Sequence, residues 1–429
     1  MTVTAHRILF ATIGSLGDLH PCLAMAVELK RRGHEVSVAT TPFYRAKVES
    51  LGLGFHALRP DIDPTDPVLV AQCENLKTGH EVLFRKIVLP HIEEAYTDLL
   101  RAARNADLMI AGELNFAAPL VAEKLGLRWV SAILSPISFL SARDPSLLVN
   151  APWLLHLRRL GWPVYRAALE LGRLQMRHWW EPVRALRRKE GLRVECDPIF
   201  RDKFSPYLVL ALFARRLAKP QRDWPAHTLQ PGFVFFKDDQ NAREYTALDA
   251  KLDAFLNAGD PPLVFTLGST AVHNPGDFYR VSAQAAERLG KRAILLGASP
   301  AAEADSPMIL SLPYAPYAQV FPRAAIVVHQ GGSGTTGQVM RAGRPMLIVP
   351  YGWDQPDNAL RVERLGTGLH VQRTEYSATN AVAALERLIS DPTFAIRAAQ
   401  VARQIKAEEG LAPACDAIEA VLPVSVKKL

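Results

Sequence analysis

The stretch from Ala325 to Asn358, AIVVHQGGSGTTGQVMRAGRPMLIVPYGWDQPDN, is the part of this sequence that decides the fold class. An apolar strand ends at His329, a glycine-rich turn runs from Gly331 to Gly334, and a helix is predicted to begin at the Thr335-Thr336 pair. Backbone N–H groups can approach an anion closely in such a turn, and the positive end of a helix favours negative charge. The stretch therefore predicts a strand, a turn and a helix that together hold a phosphate.

The next strand leads to a second group of polar side chains. Met346 to Pro350 is a short apolar run, and the loop after it carries Asp354 and Gln355. A carboxylate and an amide can together exchange hydrogen bonds with the hydroxyl groups of a sugar. Ligands of open α/β sheets bind at the carboxyl ends of the strands, so we predict that the phosphate and sugar sites lie one βα unit apart.

The same glycines also match a different motif. Gly332, Gly334 and Gly337 have the G-x-G-x-x-G spacing of a dinucleotide-binding turn, and Asp354 follows at a suitable distance. That motif normally opens the first βαβ unit of a domain, and its acid ends the next strand. Here the motif lies late in the chain, and Asp354 follows a strand that ends in Pro350. A dinucleotide-dependent oxidoreductase is therefore the weaker alternative.

Composition narrows the class of protein. The chain has 429 residues, 49% of them apolar, and a net charge of +7, which modestly favours anionic partners. No basic tract with interleaved aromatic residues indicates a nucleic-acid site. The four cysteines, Cys22, Cys73, Cys196 and Cys415, lack C-x-x-C spacing, which argues against a zinc site and a disulfide scaffold. We therefore predict a cytoplasmic protein with no zinc site and no membrane-spanning segment. Because a helix end can take the charge and neither site loop has clustered Asp or His ligands, we also predict no metal requirement, and we predict no cofactor.

The first half of the chain alternates predicted strands and helices. Arg7 to Ile13 and Glu35 to Thr40 have the apolar, β-branched composition of buried strands, and a helix from Pro21 to Arg32 lies between them. This alternation predicts a doubly wound parallel sheet. Further predicted elements of this half are a helix at Phe43 to Ser50 and strands at Leu108 to Ala111, Trp129 to Leu134 and Tyr207 to Leu212.

A second alternating series follows the Pro261-Pro262 pair, so the chain is predicted to be an α/β protein with two Rossmann-like domains. We expect an N-terminal domain at 1–218, a linker region at 219–260 and a C-terminal domain at 261–405, with a tail at 406–429 that packs back on the N-terminal domain. The predicted elements of the second series are strands at Leu263 to Leu267, Ala293 to Leu296, Ala325 to His329 and Met346 to Pro350, and helices at Phe278 to Leu289 and Ala359 to Leu365.

Residues 152–193 interrupt the alternation of the first half with a helical insertion rich in Arg and Trp. Apolar residues recur in it near helical spacing, which predicts a helical hairpin that caps the N-terminal domain. A sharper interpretation is a lid over an acceptor site. As a further alternative, Arg and Trp together are typical of helices that rest on a membrane surface, which would put the protein at the inner face of the membrane.

The loop after the first strand, Gly14 to Pro21, is the predicted site of the first half. Asp18 lies there near a helix N-terminus, where it could serve as a helix cap. A helix N-terminus also keeps a carboxylate ionised, as a general base requires. His20 is the competing candidate for the base, because an imidazole titrates near neutrality. Glu113, after a neighbouring strand, either enters the same site or is a surface carboxylate.

Taken together, these motifs resemble the two-domain GT-B glycosyltransferases, in particular the antibiotic, sterol and rhamnolipid transferases that use nucleotide-activated sugars. The resemblance covers nearly the whole chain: GSLGDLHP from Gly14, the segments at Asp223 and Pro231, the VFTLGST strand and loop, and the long stretch quoted first. The rhamnosyltransferases that glycosylate hydroxy-acyl lipids are the most similar group. The resemblance implies two Rossmann-like domains that face each other across a cleft.

The resemblance also implies roles for individual residues. Asp18 would be the base. Tyr314, with Ala315 after it, would stack on the nucleotide base in place of the usual Trp, although it could equally be a packing residue. The phosphate contacts would be Gly268, Ser269, Thr270, His329, Gly332, Ser333, Gly334 and Thr335. Ser269 could instead be a helix cap, and His329 a core histidine. Asp354 and Gln355 would orient the sugar.

One position departs from the family pattern. Many UDP-sugar members carry a Glu shortly after the Thr residues, where it binds both ribose hydroxyls, and this chain has Gln338. A neutral amide binds a diol more weakly than a carboxylate does. A deoxyribose lacks one of those hydroxyls, so the change favours a dTDP-sugar, with UDP still open.

The resemblance implies an inverting, metal-independent transfer of a hexose or deoxyhexose to a hydroxyl group. The acceptor site would be formed by Gly17, Glu113, Phe116 and Phe139 of the first half. The apolar surroundings of Phe116 and Phe139 indicate a hydrophobic acceptor, although these residues could instead belong to the core. The alternatives are a nucleotide-sugar epimerase of the same fold, the oxidoreductase above, and a protein that binds the sugar nucleotide or a lipid without catalysis.

Overall fold

The computed structural model describes residues 5–236, 246–297 and 306–423. They form two units. The first comprises the described residues of Met1–Pro64, Lys77–Phe236 and Glu409–Leu429, and the second those of Thr65–Leu76 and Lys237–Glu408. Residues 237–245 of the predicted linker and 424–429 of the predicted tail lie outside the described residues.

All strands that pair in this structure do so in parallel. The strands are β1 Arg7–Ala11, β2 Glu35–Thr40, β3 Gly54–Ala57, β4 Leu108–Gly112, β5 Trp129–Ile133, β6 Leu208–Ala211, β7 Thr228–Leu229, β8 Leu263–Thr266, β9 Ala293–Leu296, β10 Ile309–Leu312, β11 Ile326–His329, β12 Met346–Ile348 and β13 Gly368–His370. The first sheet has the order β3-β2-β1-β4-β5-β6-β7 and the second β10-β9-β8-β11-β12-β13.

The helices lie between the strands, as parallel pairing requires. They are α1 Leu16–Arg31, α2 Arg45–Ser50, α3 Pro67–Cys73, α4 Gly79–Glu81, α5 Ile92–Ala103, α6 Ala118–Leu125, α7 Trp162–Met176, α8 Glu181–Lys189, α9 Thr246–Asn257, α10 Gly268–Ala271, α11 Phe278–Arg288, α12 Tyr317–Val320, α13 Ser333–Ala342, α14 Gln355–Leu365, α15 Ala378–Ser390, α16 Pro392–Ala407 and α17 Leu411–Val421. The predicted α/β class, with two doubly wound parallel sheets, is confirmed.

The central strands of each sheet are buried on both faces. Two apolar clusters cover the first sheet, one containing Ile8 and Phe10 and the other Leu9 and Ala11, because successive side chains of β1 point to opposite faces. A third cluster, around Phe265 and Val328, covers one face of the second sheet. Burial on both faces explains why these strands are continuous apolar runs instead of alternating patterns. No helix in the described part of the chain is long and apolar enough to cross a bilayer.

Three helices begin earlier than predicted. The structure begins α1 at Leu16 and not at Pro21, because Ser15 and Asp18 form a capping box that fixes the start of the helix. Pro21 is consequently an interior residue of α1. Likewise α13 begins at Ser333, and α14 begins at Gln355 with Asp354 as its N-cap residue. The first turns of α13 and α14, SGTT and QPDN, consist of small or polar residues that carry no hydrophobic periodicity.

The unit boundaries differ from the prediction in one segment of the first half. Residues 65–76, which contain α3, pack in the second unit although the prediction assigns all of 1–218 to the first. At the other end of the chain, α17 contributes Ala414, Cys415 and Ile418 to the apolar cluster around Ile8 in the first unit. Such packing between distant parts of the chain leaves no mark in local sequence patterns.

Candidate active site

The glycine turn after β11 is shaped by the histidine that precedes it. The backbone N–H of Gly331 donates to Nδ1 of His329 at 3.0 Å, and Nε2 of the same ring lies 3.4 Å from Sδ of Met346. His329 is fully buried, and burial lowers the pKa of its imidazole to about 3, so the ring is neutral at any physiological pH. The buried ring thus orients the glycine turn, and its contact with a diphosphate stays a prediction.

The N-terminus of α13 is open for an anion. Gly332 is the N-cap residue and makes no side-chain cap hydrogen bond, so no side chain of the cap competes for the N–H groups of the first turn. Ser333 is partly exposed and Gly334 is exposed, whereas Thr335 is buried. The ten-residue helix α13 begins with N–H groups that no side chain caps, so its N-terminal end carries partial positive charge. The predicted phosphate residues 332–335 thus lie together at one helix end.

A network of hydrogen bonds joins this helix end to the loop after β12. The hydroxyl of Ser333 donates to Oδ2 of Asp354 at 2.8 Å. Asn358, which is fully buried, donates from Nδ2 to Oδ2 of Asp354 at 2.8 Å and to the carbonyl oxygen of Gly331 at 2.9 Å. The two predicted subsites are therefore one hydrogen-bonded assembly. Asn358 was quoted in the sequence motif, but no role was predicted for it.

The amide oxygen of Gln355 holds the loop that precedes α14, and a contact of its Nε2 with the sugar stays a prediction. Its Oε1 accepts hydrogen bonds from the backbone N–H groups of Tyr351 at 2.7 Å and Gly352 at 3.1 Å, and the residue is only 7% exposed. The amide oxygen is thus used to hold the loop that precedes α14, and it is not available to a sugar hydroxyl. Asp354 remains partly exposed beside it.

The loop after β8 comes close to the glycine turn. Gly268 has a φ of +67°, and a Cβ atom there would lie 2.3 Å from Nε2 of Gln330 and 3.3 Å from Oγ1 of Thr335. The structure therefore brings Gly268 and Thr335 together, and Ser269 and Thr270 follow with partly exposed side chains. Gln330 fills the space between the two turns, and its buried Oε1 has no hydrogen-bond partner among the described residues. Sequence reasoning missed Gln330, since a Gln after a strand carries no distinctive signal.

Tyr314 and Ala315 lie in the loop between β10 and α12. Tyr314 is 40% exposed, whereas Ala315 is buried. An exposed aromatic ring of this kind can stack on a planar ligand, so the predicted stacking of Tyr314 on the nucleotide base stays a prediction.

In the first unit, Asp18 lies at the carboxyl end of β1 in the first turn of α1. Its Oδ2 accepts hydrogen bonds from the backbone N–H of Ser15 at 2.8 Å and from the Ser15 hydroxyl at 3.2 Å. A Cβ atom on Gly14, whose φ is +132°, would lie 2.3 Å from that same oxygen, so only glycine leaves room for the carboxylate. Asp18 is the third residue of α1, where it completes the capping box with Ser15, and it is partly exposed.

His20 does not point to the same place as Asp18. Its ring stacks on Phe236, with ring centroids 5.1 Å apart and an interplanar angle of 19°. A small cavity is lined by Asp18 and by Glu113, and His20 is not one of its lining residues. The ring of His20 therefore lies apart from this cavity, and the choice of Asp18 as the base stays a prediction. Gly17, also predicted in this site, is exposed at the helix start.

Two of the predicted acceptor residues lie together and one does not. Glu113 lines the Asp18 cavity and also a second one, which Phe116 lines as well. Each cavity is about 10 Å³, which is room for roughly one water molecule. Phe139 is instead a core residue, because its ring stacks on Trp224 with centroids 4.0 Å apart and is buried.

The second cavity contains polar groups that the sequence did not indicate. Asn115 is 3% exposed, and neither Nδ2 nor Oδ1 has a hydrogen-bond partner among the described residues. Nζ of Lys203 lies 3.5 Å from Oε2 of Glu113, and burial lowers the pKa of this lysine. Unpaired polar atoms this deeply buried are costly unless a ligand or a water satisfies them.

Comparison with known proteins supplies the family. The glycosyltransferase family 28 N-terminal domain matches residues 8–136, and the C-terminal domain of the erythromycin biosynthesis protein CIII-like family matches residues 304–418. The O-mycaminosyltylonolide 6-deoxyallosyltransferase of Streptomyces fradiae is 30% identical over 429 residues, which cover 96% of this chain and 97% of the relative. Glycosyltransferase GtfE of Amycolatopsis orientalis is 27% identical over 425 residues, covering 97% and 98% of the two chains.

Solved structures have the same fold. The spinosyn forosaminyltransferase SpnP aligns with a TM-score of 0.69 at 18% identity, covering 98% of this chain and 100% of that one. The glycosyltransferase VinC in complex with dTDP aligns with a TM-score of 0.66 at 19% identity, covering 97% and 99%. These likenesses confirm the expected GT-B architecture. A specific similarity to the rhamnosyltransferases of rhamnolipid synthesis stays a prediction.

Proposed function

Because the chain belongs to the glycosyltransferase family that includes antibiotic-modifying enzymes, we propose that it transfers a hexose or deoxyhexose from a UDP- or dTDP-linked donor to a hydroxyl group of an apolar acceptor. The transfer proceeds with inversion at the anomeric carbon and without a metal ion. The observation that carries the proposal is the hydrogen-bonded assembly of Ser333, Asp354 and Asn358 at the uncapped end of α13.

The second unit would bind the donor. The diphosphate lies against the N–H groups of residues 332–335 and the partly exposed side chains of Ser269 and Thr270, where backbone dipoles stabilise its charge. Asp354 accepts hydrogen bonds from the sugar, and Tyr314 stacks on the nucleotide base. Positive charge from the helix end assists departure of the nucleoside diphosphate, so the proposed mechanism assigns no step to a metal.

Asp18 would act as the general base. Its carboxylate removes the proton of the acceptor hydroxyl while the hydroxyl oxygen bonds to the anomeric carbon and the bond to the diphosphate oxygen breaks. A single displacement of this kind inverts the anomeric configuration. The Asp18 cavity has room for about one water molecule, which is also the size of one hydroxyl group.

The acceptor would lie near Glu113 and Phe116. The apolar lining, which includes Leu120, Trp129 and Val183, suits a hydrophobic molecule. A polar group of that molecule would satisfy Asn115, since neither amide atom has a partner in the described part of the chain. The cavities must widen to admit more than a hydroxyl group, so we expect the acceptor site to be formed on binding.

The nucleotide preference is a first test. We expect dTDP and UDP to raise the Tm of the protein, dTDP more than UDP, and NAD and NADP to leave it unchanged. A ligand at 100 times its Kd stabilises a protein by about 2.7 kcal/mol. Gln338→Glu should reverse the order, because a carboxylate binds both ribose hydroxyls of UDP more strongly than an amide does. The measurement is a thermal-shift titration with each nucleotide.

The control for this test is Gln284→Glu, which makes the same change at an exposed position of α11. It should leave both shifts as they are in the wild type. Stabilisation by NAD(P) but not by dTDP or UDP would contradict the proposal and favour an oxidoreductase. Incubation with the donor alone separates a transferase from an epimerase, since only the epimerase forms a new sugar nucleotide without an acceptor.

We further propose that the helical insertion rests on an anionic membrane. Residues 152–193 contain ten Arg and Lys against three Glu, a balance of +7, and no acidic residue occurs between Asp144 and Glu170. Arg158, Arg159 and Arg166 are exposed and form no ion pair in the part of the chain that the structure describes. Around them lie exposed apolar side chains, namely Trp153, Leu160, Trp162, Val164, Leu171 and Leu174. Basic residues with exposed Trp and Leu are typical of a membrane interface.

Vesicle binding tests this contact independently of catalysis. The protein should co-sediment with phosphatidylglycerol-containing vesicles but not with pure phosphatidylcholine, and 0.5 M salt should release it, because electrostatic attraction is screened. Replacing Trp153, Leu160 and Trp162 by Ser should weaken binding by about tenfold or more. Ile389→Ser with Ile396→Ser, two exposed apolar residues of the second unit, is the matched control. Equal binding of the Trp/Leu variant and the wild type would refute the membrane contact.

A further inference from the structure

The segment of residues 65–76 carries a buried acid into the second unit. The chain on either side of this segment belongs to the first unit. α3 lies in the segment, and its N-cap residue is Asp66, whose carboxylate accepts a hydrogen bond from the N–H of Val68 at 2.8 Å. The C-cap residue of α3 is Glu74, and its side chain is only 2% exposed. A carboxylate at this depth must be compensated by partners.

Two residues of the second unit compensate it. Oε2 of Glu74 accepts a hydrogen bond from Nδ2 of Asn274 at 3.0 Å, and Nη1 of Arg373 lies 3.5 Å away. Arg373 also donates from Nη2 to the carbonyl oxygen of Asn274 at 2.9 Å. Its guanidinium lies over the ring of Tyr351, 3.8 Å from the ring centroid. The three groups form one closed network.

The network joins the two loops that carry the proposed donor contacts. Asn274 ends the loop that begins at Gly268, and its N–H donates to the carbonyl oxygen of Ala271 at 3.0 Å. On the other side, the backbone of Glu74 packs against Gly352, where a Cβ atom would lie 3.3 Å from both Cα and O of Glu74. Gly352 lies two residues before Asp354. Glu74 therefore contacts both the loop after β8, which carries Ser269 and Thr270, and the loop after β12, which carries Asp354.

We propose that Glu74 is a positioning residue of the donor site, which holds the loop after β8 and the loop after β12 at a fixed spacing. It touches neither substrate and acts through Asn274 and Gly352. The inference rests on the proposed function, because the loops it joins are those assigned to the donor. The new element is that Glu74, which comes from the N-terminal half of the sequence, controls the affinity of the second unit for the donor.

The charge state of Glu74 should make donor binding depend on pH, which a purely structural role in packing would not do. Burial raises the pKa of Glu74 to about 7, so the carboxylate becomes protonated as the pH falls below neutrality and loses its attraction to Arg373. The groups around it are the guanidinium of Arg373, the thiol of Cys73 and the hydroxyl of Tyr351. Burial raises the pKa of Cys73 to about 11 and also raises the pKa of Tyr351. Donor binding should therefore weaken between pH 8 and pH 6.

The experiment measures the Kd of the full-length protein for dTDP by calorimetry. Glu74→Ala should raise Kd about tenfold, since it leaves Asn274 and Arg373 without their acid. Glu74→Gln, which can still accept from Asn274, should raise it about threefold at pH 8. The Kd of this variant should then be less dependent on pH than that of the wild type, while the phosphate of dTDP titrates equally in both. Gln72→Ala, an exposed position on the same helix, is the matched control.

A double-mutant cycle tests the route of the effect. If Glu74 acts through Asn274, the Kd of Glu74→Ala with Asn274→Ala should be no higher than that of Glu74→Ala alone. Wild-type affinity in Glu74→Ala, or an unchanged pH slope in Glu74→Gln, would overturn the inference while leaving the proposed function intact. Absence of dTDP and UDP binding to the wild type would overturn both. Far-UV circular dichroism of each variant verifies that it is folded.

Discussion

We expect Asp18→Asn to lower kcat for sugar transfer by about 10²–10⁴-fold, the range that general base catalysis supplies, and to leave the Kd for the nucleotide unchanged. The amide retains an oxygen that can accept from the N–H of Ser15, so the capping box and the start of α1 are preserved. It cannot remove a proton from the acceptor. The measurement is single-turnover transfer from the preferred donor at saturating acceptor, with the nucleotide Kd determined in parallel.

Glu113→Gln is the informative comparison, because Glu113 lines the same small cavity as Asp18. We expect a loss of less than tenfold in kcat for this variant, with most of its effect on the KM of the acceptor. A larger loss in kcat for Glu113→Gln than for Asp18→Asn would transfer the role of base to Glu113. Near wild-type kcat in Asp18→Asn would eliminate Asp18 from the mechanism.

Gly331→Ala should destabilise the protein by about 3 kcal/mol and abolish the thermal shift with dTDP. Gly331 has a φ of +94°, which costs a residue with a side chain about 1–2 kcal/mol. A Cβ atom there would also lie 2.7 Å from Cγ2 of Ile348, and overpacking of a core adds about 1–3 kcal/mol. The backbone must move to relieve the contact, and the N–H groups that would face the diphosphate move with it.

The matched control is Gly334→Ala, three residues further on. Gly334 is exposed, and a Cβ atom there would meet nothing within 4 Å. This variant should unfold at the same urea concentration as the wild type, or at a slightly higher one, because Ala favours a helix over Gly. Equal stability and equal Tm shifts with dTDP in Gly331→Ala and the wild type would show that the turn tolerates a side chain. That result would remove the basis for the proposed diphosphate site.

The local part of the candidate site was predictable from the sequence. Two apolar runs, which end at His329 and Pro350, predict two strands within a few residues. The glycines after the first run predict the turn and the start of the helix. Asp18 and residues 332–335 were named because loops at the carboxyl ends of parallel strands are where ligands of this fold class bind. These inferences needed only neighbours in the chain.

The partners of the polar side chains were not predictable in the same way. His329 follows a strand in the sequence, but only the packing around it reveals that its neutral, buried ring shapes the turn. The amide side chain of Gln355 is of a type that binds sugar hydroxyls, whereas in the structure its oxygen accepts hydrogen bonds from the N–H groups of Tyr351 and Gly352. Phe139 has the character of an acceptor contact, but the stacked Trp224 makes it a core residue.

The sequence by itself therefore determined the α/β class, the two parallel sheets and the loops that carry the chemistry, because each depends on hydrophobic patterns and turn residues within one short segment. The tertiary structure alone decided which of those polar groups are exposed and which hold the loops. It also decided that Glu74 meets Arg373 across 299 residues of chain. Contacts of that range depend on how the whole chain packs, and no local pattern of residues encodes them.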